Sequence, residues 1–303
     1  MENVYAKHLI IIIMNINKND YDFICDVIES YPQLSHASNI ITKCRGKRSS
    51  DEERALELLI PEYAKYLRKI LDLKSYDEKA VCQKVAFLNE YYNYMHTNGL
   101  DRAFSSQGKF RPTILEEFLF LLFKDYVSEI KEKEDKDDVL DSGNVKAYSN
   151  IYFKAKDFID FIHSPEIGVN EKDQDYAIYR TFDISINKGE PMQIRIPAIA
   201  IEAKTYVDKT MLDSIIATAE KIKSGNPYTR FITVAERYDV SYAVDPAYSR
   251  IDQIYVLRKS MRKAEWCDID QDVVWRMVRE TIAHLKRPWS DIAKRIKEEG
   301  VII

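Results

Sequence analysis

Glycine and proline are scarce, with 8 and 9 residues in a chain of 303. That scarcity excludes a collagen-like or low-complexity chain, and no self-similar period stands out. Cysteine is equally thin. Cys25, Cys44, Cys82 and Cys267 lie far apart and form no CxxC pair. This argues against a disulfide framework or a zinc site and points to reduced thiols. The histidines, His8, His36, His96, His163 and His284, show no metal-ligand spacing. Long apolar runs are also missing. The run at 9–14 falls far short of the roughly 20 residues that span a bilayer. Glu2 and a lone Lys7 are poor signal-peptide flanks, and no small-residue cleavage site follows. The run reads as a buried strand or helix start. A cytoplasmic protein without a membrane partner is expected.

What is present is a real core and a solvated surface: 46% apolar and 31% charged residues. The formal net charge of −4 is no obstacle to binding DNA, because local charge matters more than the sum. Basic residues cluster at 43–48, at Arg102, Lys109 and Arg111, and at Arg258, Lys259, Arg262 and Lys263. Each cluster reads as a solvated face or as a set of phosphate contacts. The 20 tyrosines, Tyr91, Tyr92 and Tyr94 among them, suit rings buried with their hydroxyls wet. Base stacking or a subunit contact is the alternative.

The first hundred residues read as helical. The spacing predicts helices over 20–30, 51–72 and 77–96, the second capped by Asp51 and interrupted at Pro61. A basic loop follows at 105–112. Thr113-Ile114-Leu115-Glu116 then has the form of a capping box opening an apolar helix through Phe123. The stretch 129–141 reads as exposed loop, and 152–161 as a strand or short helix. Alternation over 175–186 and 193–205, with a turn signal at 187–190, predicts a β-hairpin. A helix over 209–224, strands at 231–235 and 254–257, and a helical tail at 273–299 broken near Pro288 complete the order. The whole is an α/β layer sandwich with a mixed sheet.

One strand carries the chemistry. Ala198 to Ile201 is apolar, and the strand then presents Glu202 and Lys204, two apart and therefore on one face. A turn centred between Lys188 and Gly189 pairs residues summing to about 377, which sets Asp175 opposite Glu202. A slip, or a bulge at Pro197, would change that pairing. Asp183 falls deep along the hairpin and is excluded. Asp173 falls opposite Lys204 and stays the second choice. Two carboxylates and a lysine suit phosphodiester hydrolysis. Asp175, Glu202 and the carbonyl of Ala203 would hold Mg²⁺, which lowers the pKa of a bound water. Lys204 is a weak general base beside carboxylates, so orienting the water is its expected role. A surface salt bridge at a strand end is the competing reading of the triplet.

The stretches at 172–178, 201–212, 219–223, 231–236 and 251–259 resemble the type II restriction endonucleases of the BbvCI and Bpu10I family, in the PD-(D/E)xK nuclease superfamily. The similarity covers roughly 105–263. The run Glu202-Ala203-Lys204-Thr205 through Asp208-Lys209 is far more specific than the bare triplet. The resemblance implies a PD-(D/E)xK core at 105–303, its mixed central sheet flanked by helices. A mostly helical region at 1–104 precedes it, with a DNA-contact or dimer role.

It further implies a Mg²⁺-dependent enzyme cutting double-stranded DNA at a short palindromic or near-palindromic site, with Asp175, Glu202 and Lys204 as the motif. The first acid follows Gln174 where the motif name has proline. Glu117 matches a family glutamate. Flanked by Ile114 and Leu121 on its helix face, it points inward, either to the metal site or to a structural bond. Gln107, Lys109, Arg111 and Lys209 are candidate DNA contacts. Asp208 is read as the cap of the next helix. A homodimer or a heterodimer with a related subunit is implied, as is a cognate DNA methyltransferase. A repair or mobile-element nuclease on the same core, or a DNA-binding subunit that does not cut, stays open.

Overall fold

The computed structural model describes residues 17–104, 110–135, 140–163, 165–185, 191–287, 289, 291–298 and 300. The apolar run at 9–14, Gln107, Lys109, the turn at 187–190 and Pro288 lie outside them.

Helices α1 (Lys18–Ser30), α2 (Ser35–Arg45), α3 (Ser50–Asp72) and α4 (Glu78–Thr97) come first, then the short α5 (Leu100–Ala103) and α6 (Pro112–Glu134). Their starts are local chemistry. Ser49, not Asp51, caps α3 in a full capping box with Glu52. Asp77 caps α4 by accepting from the Ala80 N–H. Pro61 lies inside α3 without ending it. The expected box at α6 does not form. Arg111 stands at the cap, and the Thr113 hydroxyl donates to the Phe110 carbonyl instead. Helix α6 also runs on through much of the stretch read as loop, turning out at Asp135 with φ 53°.

Five strands form one sheet in the order β1 (Leu140–Lys154), β2 (Glu166–Ile184), β3 (Met192–Val207), β4 (Arg230–Tyr238) and β5 (Gln253–Val256). The β1–β2 and β2–β3 pairs are antiparallel, and the β3–β4 and β4–β5 pairs are parallel. The parallel pair β3–β4 needs a crossover, and α8 (Lys209–Gly225) supplies it. A short helix, α7 (Phe158–His163), joins β1 to β2. Helices α9 (Gln271–Lys286) and α10 (Ile292–Glu298) follow β5.

Strand alternation sorts the sheet residues onto two faces. Tyr176, Ile178, Ile199, Ile201, Ala203, Ile232 and Val234 pack into one continuous core with α1 to α4, α6 and α9. Ala200, Phe231 and Ala235 face the other way, against Leu212, Ile215 and Ala219 of α8. The first core runs from Tyr21 to Val278, so the N-terminal helices and the sheet bury their apolar surface together. Tyr21, Tyr63, Tyr91 and Tyr92 are fully buried in it, hydroxyls included, rather than ring-buried with wet hydroxyls as expected. The cysteines are free. No helix among the described residues is long and apolar enough to cross a membrane.

Candidate active site

The register places the site. Tyr176 pairs with Ile201, Ala177 with Ala200 and Ile178 with Ile199. The pairing shifts between Ile178 and Tyr179, where Tyr179 faces Pro197 and Ala198 is the extra residue of a bulge. One step beyond Tyr176–Ile201, the last pair of the β2–β3 ladder, Asp175 comes beside β3 on the face that carries Glu202 and Lys204. Asp183 pairs with Gln193, far along the hairpin, as its exclusion required.

Three oxygens meet at one cation. The Lys204 ammonium donates to Asp175 Oδ2 at 3.1 Å, to Glu202 Oε1 at 2.9 Å and to the Ala203 carbonyl at 3.1 Å. The Ala203 N–H donates to the same Asp175 Oδ2 at 2.8 Å and fixes that carboxylate against the strand. These side chains are largely but not wholly covered, at 28% exposure for Asp175 and Lys204 and 17% for Glu202.

Burial pushes the Glu202 carboxyl above its usual range and the Asp175 charge adds to that, against the opposing pull of Lys204. Burial alone would lower the Lys204 pKa. The carboxylates of Asp175 and Glu202 outweigh it and hold the ammonium above its ordinary value. Lys204 therefore stays charged. It can orient a water or stabilise a negative oxygen, and it is a poor proton acceptor.

Among the described residues, no group of three or more His, Cys, Asp or Glu side chains could hold a metal. Two carboxylates and a carbonyl already converging on an ammonium nevertheless suit a small hard cation. Such an ion commonly takes one or two carboxylates and completes its shell with water.

Asp175 opens into a cleft of about 380 Å³ lined by Glu116, Asn144, Val145, Lys146, Asp173 and Gln174. The glutamate that α6 contributes here is thus Glu116, not Glu117. Glu117 is 1% exposed. Its Oε1 accepts from the Tyr63 hydroxyl at 2.6 Å and its Oε2 from the Ala37 N–H at 2.9 Å. Both oxygens are engaged inside the helical layer, on the sheet face opposite the side chains of Glu202 and Lys204. Of the two roles open to Glu117, the structural bond is the one seen. Asp173 lines the same cleft and pairs across with Lys146 of β1.

A second cleft, of about 400 Å³, begins where β3 continues past Lys204. Thr205 and Tyr206 line it with His96, Arg102, Arg111, Arg237, Arg262 and Trp266. The Arg262 guanidinium lies over the Tyr206 ring at 3.8 Å. Arg111 reaches Glu236 at 3.2 Å, and Glu236 also holds the buried Arg258 at 2.9 Å and accepts from the Tyr92 hydroxyl at 3.0 Å. Arg237 is occupied by the carbonyls of Met261, Ala264 and Glu265. Sequence reasoning found Arg111 but left Arg102 and Arg262 as members of unassigned clusters.

The other basic runs are absorbed locally. Lys43 pairs with Glu52, and Arg48 binds the carbonyls of Cys44 and Gly46. Lys209 is exposed and pairs with Asp213 at 2.6 Å, while Asp208 caps α8 by accepting from the Met211 N–H at 2.8 Å.

A mixed sheet with acids and a lysine on its central strand, wrapped by helices on both faces, fits a site-specific endonuclease. The sequence model of the Bpu10I restriction endonuclease family matches residues 107–291, more than half of the chain, and the chain belongs to that family. Its fold is similar to a solved structure described as the native BbvCI A2B2 tetramer at low resolution. The TM-score is 0.67 and the identity 22%, over 85% of this chain and 98% of that one. No curated protein sequence matches the chain.

Proposed function

We propose that this restriction endonuclease hydrolyses phosphodiester bonds of double-stranded DNA at a short palindromic or near-palindromic site, by in-line attack of water that leaves a 5′-phosphate and a 3′-hydroxyl. The observation that carries the reading is the convergence of Asp175 Oδ2, Glu202 Oε1 and the Ala203 carbonyl on the Lys204 ammonium.

Asp175, Glu202 and the Ala203 carbonyl would hold Mg²⁺, which when bound offsets phosphate charge and makes water a better nucleophile. Lys204 keeps its proton and donates to the attacking water or to a phosphate oxygen. The Ala203 N–H keeps Asp175 aimed. Glu116 extends the acidic wall on the α6 side. Arg102, Arg111 and Arg262 supply positive charge next to the catalytic strand, as contacts to the DNA backbone need. Lys209 is a weaker candidate for such a contact because Asp213 already partners it. The solved structure of similar fold is described as a tetramer of two kinds of chain. We extend that to this chain as an enzyme working beside a second, related or identical subunit, and with a cognate DNA methyltransferase protecting the host site.

The test is incubation of the purified chain, alone and with any related subunit, with plasmid DNA and Mg²⁺. Discrete fragments from the wild type, and a rate lower by roughly two to three orders of magnitude for Lys204→Ala, are expected. Equal cleavage by the variant would remove the site assignment.

A further inference from the structure

Beyond the core, β1 and β2 continue as a two-stranded arm. None of the described residues from 150 to 173 is buried. Such an arm is marginal in water by itself, and its end is strongly apolar. Phe158, Ile159, Phe161 and Ile162 of α7 are 73%, 62%, 53% and 55% exposed, and α7 has no buried residue at all. Phe153 adds 67% and Tyr152 41%, and Tyr152 lies across Gly168 of the neighbouring strand. At ordinary side-chain areas the four on α7 leave on the order of 450 Å² uncovered, and Tyr152 and Phe153, consecutive on β1, extend the apolar surface onto the two opposite faces of the arm. That is within what the largest patch of a monomer leaves bare and about half of one partner's share of a standard interface, roughly 800 Å².

We infer that this arm is the surface through which two copies of the chain associate, tip against tip about a two-fold axis. The inference rests on the assembly proposed above and gives it a location. Charge favours a second copy as the occupant. The end of the arm carries Lys154 and Lys156 against Asp157, Asp160 and Glu166, so it is nearly neutral. Lys154 closes on Glu166 at 2.9 Å across the strands. Asp160 accepts from the Lys156 N–H and Asp157 from the Asp160 N–H. A patch that is apolar and internally neutralised can meet its own copy without like-charge repulsion. It has no excess positive charge to offer DNA.

The test is sedimentation of the full-length chain over a concentration series, comparing wild type with the double variant Phe158→Asp, Phe161→Asp. Both sites are exposed, so the melting temperature should not fall, and thermal unfolding checks this. The expected result is a wild-type dimer and a variant at least tenfold weaker in association. Ile162→Cys gives a second readout. Disulfide-linked dimers above the wild-type background are expected under mild oxidation. A monomeric wild type, or a variant that dimerises as wild type does, overturns the inference. So does a variant that loses DNA affinity with its sedimentation unchanged, since the tip would then meet nucleic acid. Plasmid cleavage, scored separately, reports on the nuclease reading. An active enzyme that dimerises with its arm mutated removes the arm and leaves the nuclease.

Discussion

Glu116 and Glu117 are neighbours with opposite surroundings, and that difference is measurable. Glu116→Gln should lower the cleavage rate roughly ten- to hundredfold with little change in melting temperature, because it alters the charge of the cleft beside Asp175, the proposed catalytic site. Glu117→Ala should do the reverse. It leaves the Tyr63 hydroxyl and the Ala37 N–H buried without an acceptor, at a cost of about 2–4 kcal/mol in denaturant unfolding. The helical period correctly turned Glu117 inward, but inward on α6 means toward α2 and α3. Sequence could not say which side of the sheet the helix covers. Glu116 was hidden because the sequence offered it as a capping acid.

His36 supplies one pH dependence. It is fully buried, with Nε2 2.7 Å from the Tyr91 hydroxyl, and burial lowers its pKa from 6.5 to about 3. The unfolded chain therefore binds a proton that the folded chain refuses between those values. The His36 contribution to stability is therefore complete above pH 6.5 and is lost as the pH drops toward 3. One group of this kind costs about 2 kcal/mol between pH 7 and pH 5. Urea unfolding at several pH values should show a shallower slope for His36→Gln than for wild type.

At the scale of elements, the hairpin was legible but its register was right for a compensated reason. Toward the turn the pairs sum to 376, as in Asp183 with Gln193 (183 + 193). Past the bulge they sum to 377, as in Tyr176 with Ile201 (176 + 201). The pairs nearest the turn therefore differ by one from the predicted sum of 377, and the bulge at Ala198 restores the count at Tyr176. Strand β1 was missed as a strand over most of its length. Its sequence, with Ser142, Gly143 and Asn144 near the start and few buried side chains, lacks the alternation that marks β2 and β3. It is an edge strand, held by pairing with β2 rather than by an apolar face.

One close contact joins that strand to the crossover helix. A Cβ on Gly225, the last residue of α8, would stand 2.3 Å from the Ser149 carbonyl oxygen of β1. Backbone cannot swing aside as a side chain can. Gly225→Ala should therefore cost about 1–3 kcal/mol, read as a lower melting temperature.

At the scale of the molecule, the division expected near residue 104 does not coincide with a division of the core. Leu56, Leu59 and Tyr63 of α3 lie in the same apolar cluster as Ile199, Ile201 and Ile232 of the sheet. Helix α6 is the shared wall, with Phe118, Leu119, Leu121, Leu122 and Phe123 all buried. A fragment beginning at residue 105 should expose that wall. It is expected to be recovered mainly as aggregate, with any soluble fraction binding a hydrophobic dye strongly.

The continuous interior also bears on how such an enzyme can acquire a new target. In a modular enzyme, a reading head can be exchanged whole between lineages and the cutter left untouched. Here an imported set of helices would have to match, side chain for side chain, an interior that also supports the strand carrying Glu202 and Lys204. If the two clefts meet DNA as proposed, new sequence preferences are more accessible one substitution at a time on their open rims than by recombination of blocks.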